Sequence, residues 1–268
     1  DIGCYGGEIP TPNIDALAAG GVRFTQFYNT ARCSPTRASL LTGLYPHQAG
    51  MGYLDGLRKP ESNGTHGRLH DRCVTMAEVL RPAGYHTSIV GKWHLGQQHG
   101  TPPWQRGFQR TASTQFGELY FPRERSNEAA KYVYLDGRKV PAGSAAVGSG
   151  DWYSTLMFTD WALKFVDDAR SQNKPFFLYI AHGAPHFPLK APGEVIARYR
   201  GKYRAGWDQL REDRYARQKE MGIIGGDTPL SPRPGDVPAW DSLSAEEQDR
   251  FDQIMAVYAA MIDCIDQS

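Results

Sequence analysis

The chain holds 268 residues, 40% of them hydrophobic and 22% charged, enough for one large domain with a substantial core. Its 30 basic and 29 acidic residues leave a net charge of +1, so composition gives no electrostatic footprint for nucleic acid or an anionic membrane surface. No apolar run approaches the roughly 20 residues of a membrane-spanning helix. Cys4, Cys33, Cys73 and Cys264 lack CxxC spacing, which argues against a zinc ribbon or a dense disulfide framework.

Helix-like and strand-like stretches alternate, predicting an α/β fold with a mostly parallel central sheet and helices on both faces. Thr11-Pro12 has the form of a helix start, a capping hydroxyl before proline at the first helical position. Ile14, Leu17 and Ala18 give that helix an apolar stripe, and Gly20-Gly21 ends it. Residues 22–27 read as a strand with Val22, Phe24 and Phe27 as core candidates. Pro35 and the run from Arg37 to Thr42 predict a helix from about Cys33 to a stop at Gly43. Thr75-Met76-Ala77-Glu78 is a capping box whose helix ends near Gly84. His86 to Val90 reads as a short strand, followed by the loop Gly91-Lys92-Trp93-His94-Leu95-Gly96.

Residues 97–150, rich in Gly, Pro and polar side chains, read as a surface insertion. Phe158, Trp161, Ala162, Phe165 and Val166 then recur at helical spacing. Phe176 to Ala181 has the near-continuous apolar character of a strand inside a parallel sheet. A second polar insertion is expected at 192–240. Behind it, Ser244 to Glu247 is a capping box for a helix with Phe251, Ile254, Met255, Tyr258, Met261, Ile262 and Ile265 on one face. Residues 1–268 are thus read as one incomplete catalytic domain. Both ends look cut, so the lack of a signal peptide carries no information.

Three polar clusters, at Cys33, at Lys92/His94 and at His182/His186, each follow a predicted strand. In an open α/β sheet, ligands bind beyond the carboxyl ends of strands, so such loops can meet at one site. A group at the start of a helix sits among unpaired N–H donors and suits an anion, and Arg37 lies one turn along from Cys33. Read blandly, the pentapeptide is a buried cysteine beside a surface arginine. A cysteine phosphatase needs five residues between Cys and Arg, and here there are three. His182 and His186 have H-x3-H spacing, but Pro185 and Pro188 argue against the helix on which such a pair chelates zinc.

Cys33-Ser34-Pro35-Thr36-Arg37, continued through Ala38-Ser39-Leu40-Leu41-Thr42-Gly43, resembles the type I sulfatase signature. The runs Thr11 to Ala18, Gly91 to Gly96 and Ala184 to Leu189 resemble the same family in the same order. The resemblance implies an alkaline-phosphatase-like fold and a sulfuric ester hydrolase in which a maturation enzyme oxidises Cys33 to formylglycine. It implies that Arg37 holds the aldehyde hydrate, that Lys92 is a fixed cation for the sulfate, and that His94 helps remove the hydrate proton. His186 would protonate the leaving group, and Lys190 would join Lys92 and His186 in binding substrate.

Family members also hold a divalent cation, usually calcium. Of its expected ligands only residue 33, as formylglycine, falls within this chain, so the segment alone is expected to be inactive. The implied substrate is a small-molecule or carbohydrate sulfate ester, with Trp104, Trp207 and Lys190 as candidate pocket residues. The implied compartment is periplasmic or secreted. The alternatives are a phosphate or phosphonate monoester hydrolase on the same fold, and a non-catalytic binding protein if the termini are genuine.

Overall fold

A computed structural model describes residues 1–55, 59, 61–117, 119–122 and 131–268. In chain order its main elements are α1 (Pro12–Ala19), α2 (Cys33–Thr42), α3 (Met76–Leu80), β1 (His86–Lys92), β2 (Arg110–Thr114), β3 (Tyr132–Leu135), β4 (Arg138–Pro141), α4 (Ser154–Ser171), β5 (Phe176–Ala181), α5 (Gly193–Ala197), α6 (Gly206–Glu220) and α7 (Ala245–Asp266). They fall into two compact units, one of residues 28–183 and one combining 1–27 with 184–268. Among the described residues no helix is long and apolar enough to cross a membrane.

The sheet lies wholly in the unit 28–183, in the order β4-β3-β2-β1-β5. β1 runs parallel to both β2 and β5, whereas β2–β3 and β3–β4 are antiparallel. The sheet is therefore mixed: β1 and β5 lead into the predicted clusters at Lys92/His94 and His182, β2 runs parallel beside β1, and an antiparallel hairpin closes one side, whereas the Cys33 cluster follows no described strand. All seven residues of β1 are buried. Successive side chains of a strand face opposite ways, so Val90 joins Phe158, Ala162 and Phe165 of α4 on one face. Ile89 joins Ala38 and Leu41 of α2 and Ala77 of α3 on the other. Helices thus cover both faces, as predicted.

Several sequence expectations need correction. Residues 97–150 contribute β2, β3 and β4 as well as buried Phe108, Val133 and Leu135, and so form part of the core rather than a surface excursion. Strands of four or five residues are too short to register as periodicity. Residues 22–27 form no strand, and Val22, Phe24 and Phe27 are 80%, 60% and 72% exposed. A strand exists by pairing, and no described strand pairs with them. β5 pairs with β1 in parallel as predicted but has no described neighbour on its other side, leaving Phe176 and Ile180 half exposed.

In the second unit carboxylates take inward positions that the expected apolar stripes leave or share. No residue of α1 is buried, and Thr11 does not cap it. Asp266 does so instead, accepting from the backbone N–H groups of Asn13 at 3.3 Å and Ile14 at 2.8 Å. On α7, Met261 and Ile262 are buried as predicted, but Phe251 and Ile254 are exposed, and Asp252, Asp263 and Asp266 are buried along with Ala256, Ala259 and Ala260. Asp252 accepts from the backbone of Gly201 and Tyr203 and pairs with Arg200, and Asp263 accepts from the Tyr199 hydroxyl. Buried carboxylates with such donors decide which side of a helix faces inward.

The helix that begins at Cys33 depends on its seat. Leu41→Ala removes a fully buried side chain of α2 and should cost about 2–5 kcal/mol, read by chemical denaturation.

Candidate active site

Cys33 is the first helical residue of α2, and Gly43 ends the helix in a left-handed conformation with φ +70°, as predicted from the sequence. Cys33 Sγ lies 3.2 Å from His94 Nδ1. Arg37, one turn further on, donates from Nη1 to the Lys92 carbonyl at 2.8 Å and to the Tyr179 hydroxyl at 3.1 Å. Lys92 is the last residue of β1 and is only 4% exposed. His94 is 8% exposed and has φ +56°. Its backbone N–H donates to Gln115 at 3.0 Å, and its ring meets Phe116 edge-on at 5.0 Å between centroids. The structure therefore brings Cys33, Arg37, Lys92 and His94 together at the carboxyl end of β1.

Close backbone approach makes this convergence possible. Gly91 has φ +92°, and a Cβ there would lie 2.1 Å from the Ala181 carbonyl oxygen. Between the loops after β2 and β5, a Cβ on Gly183 would lie 2.2 Å from the Gly117 oxygen, and one on Gly117 would press on the Lys92 side chain. Only glycine tolerates such approach, so the loops after β1, β2 and β5 crowd against one another. Trp93, fully buried, anchors the intervening loop through its Nε1–H to the Thr101 carbonyl.

His182 follows β5 in the same unit, and burial pulls its imidazole down to about 4. His186 and Lys190 belong to the other unit. His186 is exposed, and its Nδ1 lies 2.6 Å from the Phe187 carbonyl oxygen. A carbonyl only accepts, so Nδ1 carries the proton and Nε2 is the working nitrogen. Lys190 is half-buried, next to Leu189, which lines a cavity of about 460 Å³ with Trp207, Trp240, Phe251 and Tyr258. Trp104, in the first unit, is stacked on Tyr134.

The Sulfatase family matches residues 1–268, the whole chain. This chain belongs to the sulfatase family. The Klebsiella aerogenes protein named arylsulfatase is 38% identical over 98% of this chain and 56% of its own length. An uncharacterized sulfatase of Schizosaccharomyces pombe is 36% identical over 99% of the chain and 50% of its own length. Human arylsulfatase A is 36% identical over 79% of the chain and 43% of its own. The sulfatase chain thus spans about half the length of the curated relatives it matches. A solved structure, Ps i-CgsB in complex with k-i-k-neocarrahexaose, superposes with a TM-score of 0.67 at 25% identity, covering 99% of this chain and 49% of that one.

The described residues of this sulfatase chain do not by themselves fit calcium. A calcium ion takes 6–8 oxygen ligands, and the described residues hold no group of three or more His, Cys, Asp or Glu side chains suited to a metal. Sequence reasoning missed Tyr179 and Phe116, which touch Arg37 and His94. The hydroxyl of Tyr179 inside an otherwise apolar strand was the available signal, because a buried phenol needs a partner.

Burial holds His182 below its ordinary value of 6.5, so folding favours its neutral form. The stability it contributes is complete above about pH 6.5 and is lost as pH falls toward 4. Between about pH 7.5 and pH 4.5 the parent should lose roughly 2–3 kcal/mol more than His182→Leu, measured by chemical denaturation at both pH values.

Proposed function

We propose that the full-length protein hydrolyses sulfate monoesters, with an aryl sulfate as the first substrate class to test, and that residue 33 acts as formylglycine. The observation that carries this reading is the set of side chains around the start of α2. Cys33 Sγ is within hydrogen-bonding range of His94, and both Arg37 and Lys92 stand at the end of β1. Among the described residues no carboxylate pairs with Arg37, so its positive charge remains for an anion. The relatives named arylsulfatase support the aryl class.

Formylglycine supplies a hydrated aldehyde, whose hydroxyl is the nucleophile and whose carbonyl can re-form, so one difficult displacement becomes two easier steps. The residues of the chain do the rest. The start of α2 and the guanidinium of Arg37 favour negative charge at residue 33. Lys92 faces the charge that develops on sulfate oxygens. His94, 3.2 Å from the side chain of residue 33, takes the hydroxyl proton that must leave when sulfate is released. To His186, with Nδ1 fixed as a donor to Phe187, falls the proton needed by the leaving alkoxide or phenoxide, delivered from Nε2. Lys190 is assigned to substrate binding. Calcium is an expectation for the full-length protein, since the described residues include no group of three or more His, Cys, Asp or Glu side chains suited to hold it. For the same reason the segment 1–268 alone is proposed to be inactive.

The full-length gene product, expressed with a formylglycine-generating enzyme, should release phenol from an aryl sulfate. Mass spectrometry should find the thiol of the Cys33 peptide replaced by an aldehyde. Cys33→Ala should lower kcat by about a thousandfold or more, and His94→Ala by roughly 10²–10⁴-fold. An unmodified thiol in fully active enzyme defeats the proposal, and faster turnover of an aryl phosphonate moves the activity to that ester class. The isolated segment supplied with calcium should show no turnover.

A further inference from the structure

The geometry points to Tyr179 as a positioning residue that holds the Arg37 guanidinium in place without cancelling its charge; this role rests on the sulfatase reading above. Tyr179 sits on β5 directly across from Ile89 of β1 and packs against the cluster that seats Ala38 and Leu41 of α2. Its hydroxyl therefore reaches Arg37 from a strand other than the one that carries Lys92. Arg37 Nη1 has two hydrogens and spends one on the Tyr179 hydroxyl at 3.1 Å and one on the Lys92 carbonyl at 2.8 Å. Two acceptors on neighbouring strands fix the guanidinium relative to both. Its Nη2 and Nε groups make no bond to any described residue.

The chemistry of the acceptors matters as much as their place. Both are neutral. A carboxylate at either position would tie down the arginine equally well and would cancel its charge. Burial raises the Tyr179 phenol above its ordinary value although Arg37 pulls the other way, so the phenol stays neutral beside the cation. The arginine is thereby held rigidly while its field remains available at residue 33, one turn back along α2. A tyrosine kept only for packing would bury its ring and find its hydroxyl any convenient partner. It would not matter to that role what became of Arg37.

That difference gives the test. Tyr179→Phe, Arg37→Lys and the double variant are made in the full-length, matured protein, with kcat and KM on an aryl sulfate, the thermal midpoint, and Cys33 conversion by mass spectrometry. Rates are taken per matured molecule, well below the lowest midpoint. Y179F should convert Cys33 normally and lose about tenfold in kcat, the scale of one hydrogen bond to a charged group, with KM changed far less. In the R37K background the same change should cost less than about twofold, since an ammonium cannot span both acceptors as the guanidinium does. Should Y179F fail to fold, Tyr179→Met, which also lacks the hydroxyl, takes its place. A kcat within about twofold of the parent, or an equal loss in both backgrounds, overturns the positioning role. A parent protein without turnover overturns the sulfatase reading and this role together, and the parent measurement tells the two failures apart.

Discussion

The guanidinium of Arg37 is where helix, sheet and chemistry meet. From α2 it donates to the carbonyl of Lys92 at the end of β1 and to the hydroxyl of Tyr179 on β5. The apolar seat under α2, built from Ala38 and Leu41 against Ile89 and Trp93, sets how closely the helix lies on the sheet. The arginine then fixes where the start of the helix stands relative to the strand ends. Cys33 and its neighbour His94 inherit that placement. Had Arg37 been paired with a carboxylate, the scaffold would hold equally well and the site would have lost a cation. Stability and function therefore ask the same side chain for different things, and neutral acceptors satisfy both.

The second constraint is the space between backbones. Lys92 ends β1 and His94 lies two residues on, at the turn where the chain leaves the strand. Gly91 and His94 both take positive φ, and Trp93 between them is buried deep in the core. The absent side chains of Gly91, Gly117 and Gly183 let neighbouring loops press against this turn. Nearly buried polar groups then keep a single arrangement, because the surrounding backbone leaves little room for another.

Legibility in the sequence followed the range of the interaction. The α2 helix and its glycine stop, both capping boxes and the strand predicted at 86–90 rest on neighbours within a few residues, and all appear in the structure, the strand running on through Gly91 and Lys92. The motifs at 33–37 and 91–96 were legible for the same reason, being short runs whose chemistry is local. What escaped was non-local. Val22, Phe24 and Phe27 had strand composition without a partner, while β2 to β4 were strands of modest composition that gained one. The face of α7 was read correctly at Met261 and Ile262 and misjudged at Phe251 and Ile254, because apolar residues were taken as the whole inward signal. Asp252, Asp263 and Asp266 turned inward as well, toward donors 50 or more positions away in most cases, such as Tyr199 at 64 and Ile14 at 252.

Tyr179 shows the same limit inside the candidate site. In the sequence it is one residue of a six-residue apolar strand, and hydropathy alone reads it as core, which its ring is. Its hydroxyl meets an arginine 142 positions away. A motif names the residues that touch a reacting group, because those residues are close together in the chain. The groups that orient them are supplied by whichever strand the fold lays alongside. In this sheet β1 is flanked in parallel by both β2 and β5, so the loop after β2 braces His94 through Phe116 while β5 braces Arg37 through Tyr179. The parallel order of three strands thus does more than place loops at one end. It also puts a separate support behind Arg37 and behind His94.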